Sequence, residues 1–133
     1  MRSRRDSFVV GVLLLLFGLS VGASAQRGRW EYLGQAHVDG DHDHDNIHVD
    51  AEGAFRAIRI EVHDAAIEFQ RVVVHFENGD DFPVAIRDRI PAGGRTRRID
   101  LPGDRRRIKS VEFWYSKGSW SDRKPGLSLY GQR

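Results

Sequence analysis

The chain has 133 residues, no cysteine, 21 Lys plus Arg against 19 Asp plus Glu, and 40% apolar residues. Zero cysteine excludes disulfides, thiolate metal centres, cysteine nucleophiles and a lipid-bearing cysteine. The length leaves room for one small domain with a single core.

The first 25 residues read as an export signal. Arg2, Arg4 and Arg5 form a positive start, Phe8 to Val21 is apolar apart from Gly and Ser, and Ala23-Ser24-Ala25 offers the small residues a signal peptidase accepts. Cleavage is expected before Gln26. The apolar run is shorter than the roughly 20 residues that span a bilayer, so no transmembrane anchor is expected after cleavage. The expected location is the periplasm or the extracellular space. Removing Arg2, Arg4, Arg5 and Asp6 leaves 18 basic and 18 acidic residues in 26–133, a balance that argues against a nucleic-acid partner.

In chain order, Trp30 to Val38 is expected to be the first strand, followed by a polar loop over Asp39 to Asn46 and a short strand at Ile47 to Val49. In Phe55 to His63, Ile58, Ile60 and Val62 alternate with Arg59, Glu61 and His63, the pattern of a strand with one buried face. Ile67 and Phe69 share one parity and Val72, Val74 and Phe76 the other, so a bulge or short turn near Gln70-Arg71 must reset the register. Asn78-Gly79 signals a hairpin pairing Val72 to Phe76 with Phe82 to Ile86, both turn residues taking positive φ. Pro83 marks the second strand as an edge.

A short strand is expected around Arg97 to Leu101, between Gly and Pro turns. Val111, Phe113 and Tyr115 alternate with Glu112 and Trp114, and Leu127 and Leu129 close the chain. Strands at roughly ten-residue spacing with no helical period between them predict an all-β fold: an antiparallel, jelly-roll-like β-sandwich of about eight short strands.

Two constellations carry candidate chemistry. The segment His37 to Asp50 holds four of the six histidines, and Asp41, His42, Asp43, His44, Asp45 and His48 are its candidate metal ligands, for calcium through the carboxylates or zinc through the imidazoles. Asp41, Asp43 and Asp45 with Glu52 imitate EF-hand spacing, but the flanks are strand-like, which excludes that fold. His42-Asp43-His44 also resembles the His-x-His pair of cupins, yet the following glutamate is missing and Thr96 stands where the downstream histidine belongs. A solvated turn of Asx motifs is the plainer reading of the segment.

The second constellation is the tryptophans and arginines. Trp114 takes the parity opposite to the core residues, Trp120 lies in the polar loop Ser116 to Pro125, and Arg97 and Arg106 belong to a basic run. Trp114, Trp120, Arg97 and Arg106 are the candidate ligand-binding set, for an extracellular glycan or polyanion. No catalytic template is present: no G-x-S-x-G, no H-E-x-x-H, no phosphate loop and no dinucleotide fingerprint. A non-enzymatic binding or envelope-associated module is therefore the expected role.

Leu33-Gly34, Asp43-x-Asp45-x-Ile47, Gly53-x-Phe55-Arg56, Asn78-Gly79, Ala92-Gly93-Gly94, Ile99-Asp100-Leu101, Arg107 to Val111 with Phe113 and Tyr115, and Leu129-Tyr130-Gly131 together resemble a family of small secreted bacterial β-domain proteins of unknown function. The resemblance runs over residues 33–131. It rests on turn glycines and strand hydrophobics, so it implies export and a single β domain but no catalytic or binding residue.

Overall fold

The computed structural model describes residues 28–38, 44–116 and 123–133. Its elements are β1 (Glu31–His37), β2 (His44–His48), β3 (Ala57–His63), β4 (Ile67–Phe76), β5 (Asp81–Val84), β6 (Arg89–Ile90), β7 (Ile99–Asp100), β8 (Ile108–Tyr115) and β9 (Gly126–Gln132). All pairings are antiparallel. One sheet runs β1-β9-β3-β7, and the other runs β2-β8-β4-β5 with β6 on β4. Without the two-residue β6, the first, eighth, third and sixth strands face the second, seventh, fourth and fifth, which is the jelly-roll order.

The core lies between the sheets, as the alternation requires. Ile58, Ile60 and Val62 of β3 and Leu127 and Leu129 of β9 meet Val72 and Val74 of β4 and Val111, Phe113 and Tyr115 of β8, all buried. Each such side chain contributes roughly 1.5–3 kcal/mol through burial. Because β9 is central to one sheet and β8 to the other, neither sheet is complete until the last third of the chain is in place.

The register reset expected at Gln70-Arg71 is a bulge: β4 stays continuous, but its pairing with β8 jumps between Phe69 and Arg71. Proline 83 lies on an edge strand, β5. The hairpin differs in turn type. Gly79 has φ +95° while Asn78 is not in the positive region, and Phe76 N–H donates to the Asp80 carbonyl while Gly79 N–H donates to that of Phe76. Glu77-Asn78-Gly79 is therefore a three-residue loop, a type I turn closed by a left-handed glycine, instead of a two-residue turn. A second correction concerns the polar loop: His44 to Asn46 belong to β2, paired along β8. The expected strand at Arg97 to Leu101 shrinks to Ile99–Asp100.

Candidate functional site

The outer face of the five-stranded sheet gathers the groups with most chemistry. Trp114 projects from β8 with β2 on one side and β4 on the other, opposite His44 and Arg71 in register. The His44 ring stacks on the indole at 4.7 Å between centroids and 29° between planes, and the Arg71 guanidinium carbon lies 4.9 Å from its centroid. Cation and indole attract through the ring quadrupole. The clasped indole is half-buried while Arg71 is exposed, so the contact offered to a ligand is the guanidinium as much as the ring.

Beside it runs a chain of four titratable groups. His44 Nε2 donates to Glu112 Oε2 at 2.5 Å, His75 Nε2 donates to Glu112 Oε1 at 2.8 Å, and His75 Nδ1 donates to Asp81 Oδ1 at 2.6 Å. Both ring nitrogens of His75 face carboxylate oxygens, an arrangement that favours the doubly protonated imidazolium. The hydrogen bond to Glu112, then that to Asp81, hold it above its ordinary 6.5 against the pull of burial. Burial pushes Glu112 up, but hydrogen bonds from His75 and His44 outweigh it and leave the carboxyl below its ordinary 4.5.

The consequence for stability has a definite sign. The contribution of His75 is complete below pH 6.5 and is lost as pH rises through its raised folded value, whereas that of Glu112 is complete above pH 4.5 and is lost as pH falls through its lowered one. Both are in place between those limits. The melting temperature is expected to fall as pH rises above 6.5, and the fall to be smaller in His75→Gln; parallel curves for the two proteins would detach His75 from the pH response.

The bulge at Gln70 opens a groove next to this face. β5 ends at Val84 and β6 begins at Arg89, so Ala85 to Asp88 leave the ladder, with Ile86 tucked into the core and Phe69 N–H donating to the Asp88 carbonyl. The groove, of about 530 Å³, is walled by Gln70, Arg71, Arg87 and Asp88 with Val84 to Ile86. Arg71 and Arg87 are exposed. Apart from the Arg71 contact with Trp114, neither guanidinium has an ion pair or hydrogen bond among the described residues.

The other arginines singled out from sequence lie elsewhere. Arg106 is committed to structure: Nη2 donates to Asp80 Oδ2 at 3.0 Å, Nη1 to the Pro102 carbonyl at 3.3 Å, and the guanidinium carbon sits 3.9 Å from the Phe76 ring centroid. Arg97 adjoins the opposite sheet, next to Thr96, which bonds Ile60 of β3, and its Nη1 donates to the Arg98 carbonyl. Trp120 lies outside the described residues, as do Asp41, His42 and Asp43.

Among the remaining metal candidates, Asp45 takes the inward parity opposite Phe113, and its Oδ1 accepts from Asn46 N–H. His44 and His48 share the outer face of an extended strand, about 13 Å apart at 3.3 Å per residue. No three His, Asp or Glu among the described residues are disposed to hold an ion.

A family model, the domain of unknown function DUF2541, matches residues 9–131. The chain belongs to this family. No curated protein is similar in sequence. Among solved structures, a putative alpha-L-fucosidase from Bacteroides thetaiotaomicron shares 10% identity, with a TM-score of 0.49, over 86% of this chain and 25% of that one. The chain thus spans a quarter of that protein's length, and a likeness of this size carries no argument about function.

Proposed function

We propose that the protein is an exported, non-enzymatic binding module that takes an acidic polysaccharide or similar polyanion along the groove beside Trp114. The carrying observation is that Arg71 and Arg87 line one groove without a carboxylate partner of their own, with Arg71 held in place by the indole. Guanidinium groups bind carboxylate, sulfate and phosphate through paired charge-assisted bonds, worth about 1.5–3 kcal/mol each. The β4 bulge is what turns Arg71 toward that opening. This reading keeps the Trp114 of the sequence expectation and replaces Arg97 and Arg106 with Arg71 and Arg87.

Calorimetric titration of the purified protein with heparin and with polygalacturonate tests it. Arg71→Ala with Arg87→Ala is expected to weaken binding by about tenfold or more and to flatten its salt dependence, while neutral dextran gives no signal at this groove. Affinity unchanged in the double variant would end the proposal. Export is supported by the Arg-led apolar run, inside which the family match begins at residue 9; a mature amino terminus at Gln26, read by sequencing, is the expected result. The rival calcium or zinc reading rests on Asp41, His42, Asp43, His44, Asp45 and His48, of which the first three lie outside the described residues. Elemental analysis separates it from the first, since a stoichiometric ion lost in His42→Ala would support it and a metal-free protein would not.

A further inference from the structure

On the flank where the two sheets meet, β1 and β2 are the edge strands, and a second groove of about 590 Å³ lies between them. Its shape follows from local backbone. The pairing of β1 with β9 jumps between Tyr32 and Gly34, a bulge at Leu33. Gly34 lets β2 approach closely, since a methyl there would stand 2.8 Å from the His48 carbonyl oxygen and 2.9 Å from Ile47 Cγ2. Tyr32 and Gln35 line the groove from β1, and Asn46, His48 and Asp50 from β2 and its continuation.

Tyr32 is 50% exposed, the one large hydrophobic side chain so placed among the described residues. It is braced edge-on by Tyr130, with centroids 5.9 Å apart and planes at 71°. Tyr130 is itself fixed, its hydroxyl held above the ordinary range by burial and by Glu61, with Arg59 between it and Trp30. In the opposite wall, Asn46 Oδ1 is buried and has no hydrogen-bond partner. That oxygen is closed to solvent, so the polar partners this wall presents to the groove are the exposed His48 and Asp50.

The wall chemistry identifies the ligand class. A braced aromatic ring, the Gln35 carboxamide, an imidazole and a carboxylate offer one apolar platform and several hydroxyl partners, with no cation excess to favour an anion. The volume falls in the range of small-molecule sites, about 300–1,000 Å³. We propose that this groove binds a neutral saccharide, its C–H face on Tyr32 and its hydroxyls on Gln35, His48 and Asp50. The site is separate from the arginine groove and does not depend on it.

The test is nitrogen-15 NMR of the purified full chain titrated with maltohexaose, cellohexaose and chitohexaose, with heparin in parallel. At least one neutral oligosaccharide is expected to shift the amides of Tyr32, Gln35, Asn46 and His48. Tyr32→Ala should lower that affinity by about tenfold or more with the melting temperature retained, because half of the ring is already in water. Arg71→Ala should leave it unchanged. The proposal is overturned if none of the three sugars moves these amides at millimolar concentration, or if Tyr32→Ala and Gln35→Ala both bind as the parent does.

Discussion

Phe113→Ala is expected to destabilise the domain by about 3–5 kcal/mol, the range for removing a buried aromatic ring that its surroundings cannot refill. Phe113 is fully buried at the centre of β8, between β2 and β4, so backbone ladders on both sides resist collapse into the cavity. Its ring meets Phe69 edge-on at 6.1 Å and 83° and Tyr115 at 5.9 Å, and such pairs add about 0.5–1.5 kcal/mol beyond area. Against a total stability of about 5–15 kcal/mol for an ordinary domain, this is a large fraction. Urea unfolding measures it as a lower midpoint at unchanged slope. Lys109→Ala, on the same strand but exposed, is expected to stay within about 0.5 kcal/mol. A Phe113→Ala loss as small as that would mean that β8 does not occupy the centre of its sheet.

The same residue shows what was legible beforehand. Alternation in a strand reports which side chains face the core, because successive Cβ atoms point to opposite sides. Val111, Phe113, Tyr115, Ile58, Ile60 and Val62 could be assigned inward on that ground alone, and all are buried. The parity break between Phe69 and Val72 similarly required the bulge that the structure contains. Pairing partners were not legible, because periodicity names a face and not a neighbour. Nothing in Gly126 to Gln132 says that it enters between β1 and β3. Strands of two residues, β6 and β7, are too short to show a period at all. The start of β2 was hidden by composition: Asp, His and Asn read as a turn, and it is pairing along β8 that extends them.

The site divides along the same line. Trp114 was placed on the outer face by parity, but its partners His44 and Arg71 come from strands 70 and 43 positions earlier and required the register. Arg106 looked available because Asp80, its partner, is distant in sequence. The contact between His75 and Asp81 was within reach, since a three-residue hairpin loop sets those two residues opposite each other on one face. Reading Asn78-Gly79 as a two-residue turn shifts the pairing and hides it. Arg71 and Arg87 were obscured because the groove they share exists only where Ala85 to Asp88 leave the ladder.

Thr96→Val is expected to cost about 1–3 kcal/mol although it preserves volume. On the side of β3 away from β9, β7 pairs only with Ala57 and Ile58. Farther along, the chain around Thr96 completes the ladder: Thr96 N–H donates to the Ile60 carbonyl at 2.8 Å, and the Thr96 hydroxyl accepts from Ile60 N–H at 3.0 Å while donating to the Arg97 carbonyl at 2.9 Å. A side chain thus stands in for a strand, at a position 7% exposed. Valine fits the space but leaves the amide of Ile60 without a partner where water does not reach. Thr96→Ser keeps the hydroxyl and is expected to lose less than valine does. Hydrogen exchange at Ile60 distinguishes the cause: faster exchange in Thr96→Val but not in Thr96→Ser assigns the loss to that one bond, whereas equal rates in both would place it in packing of the threonine methyl.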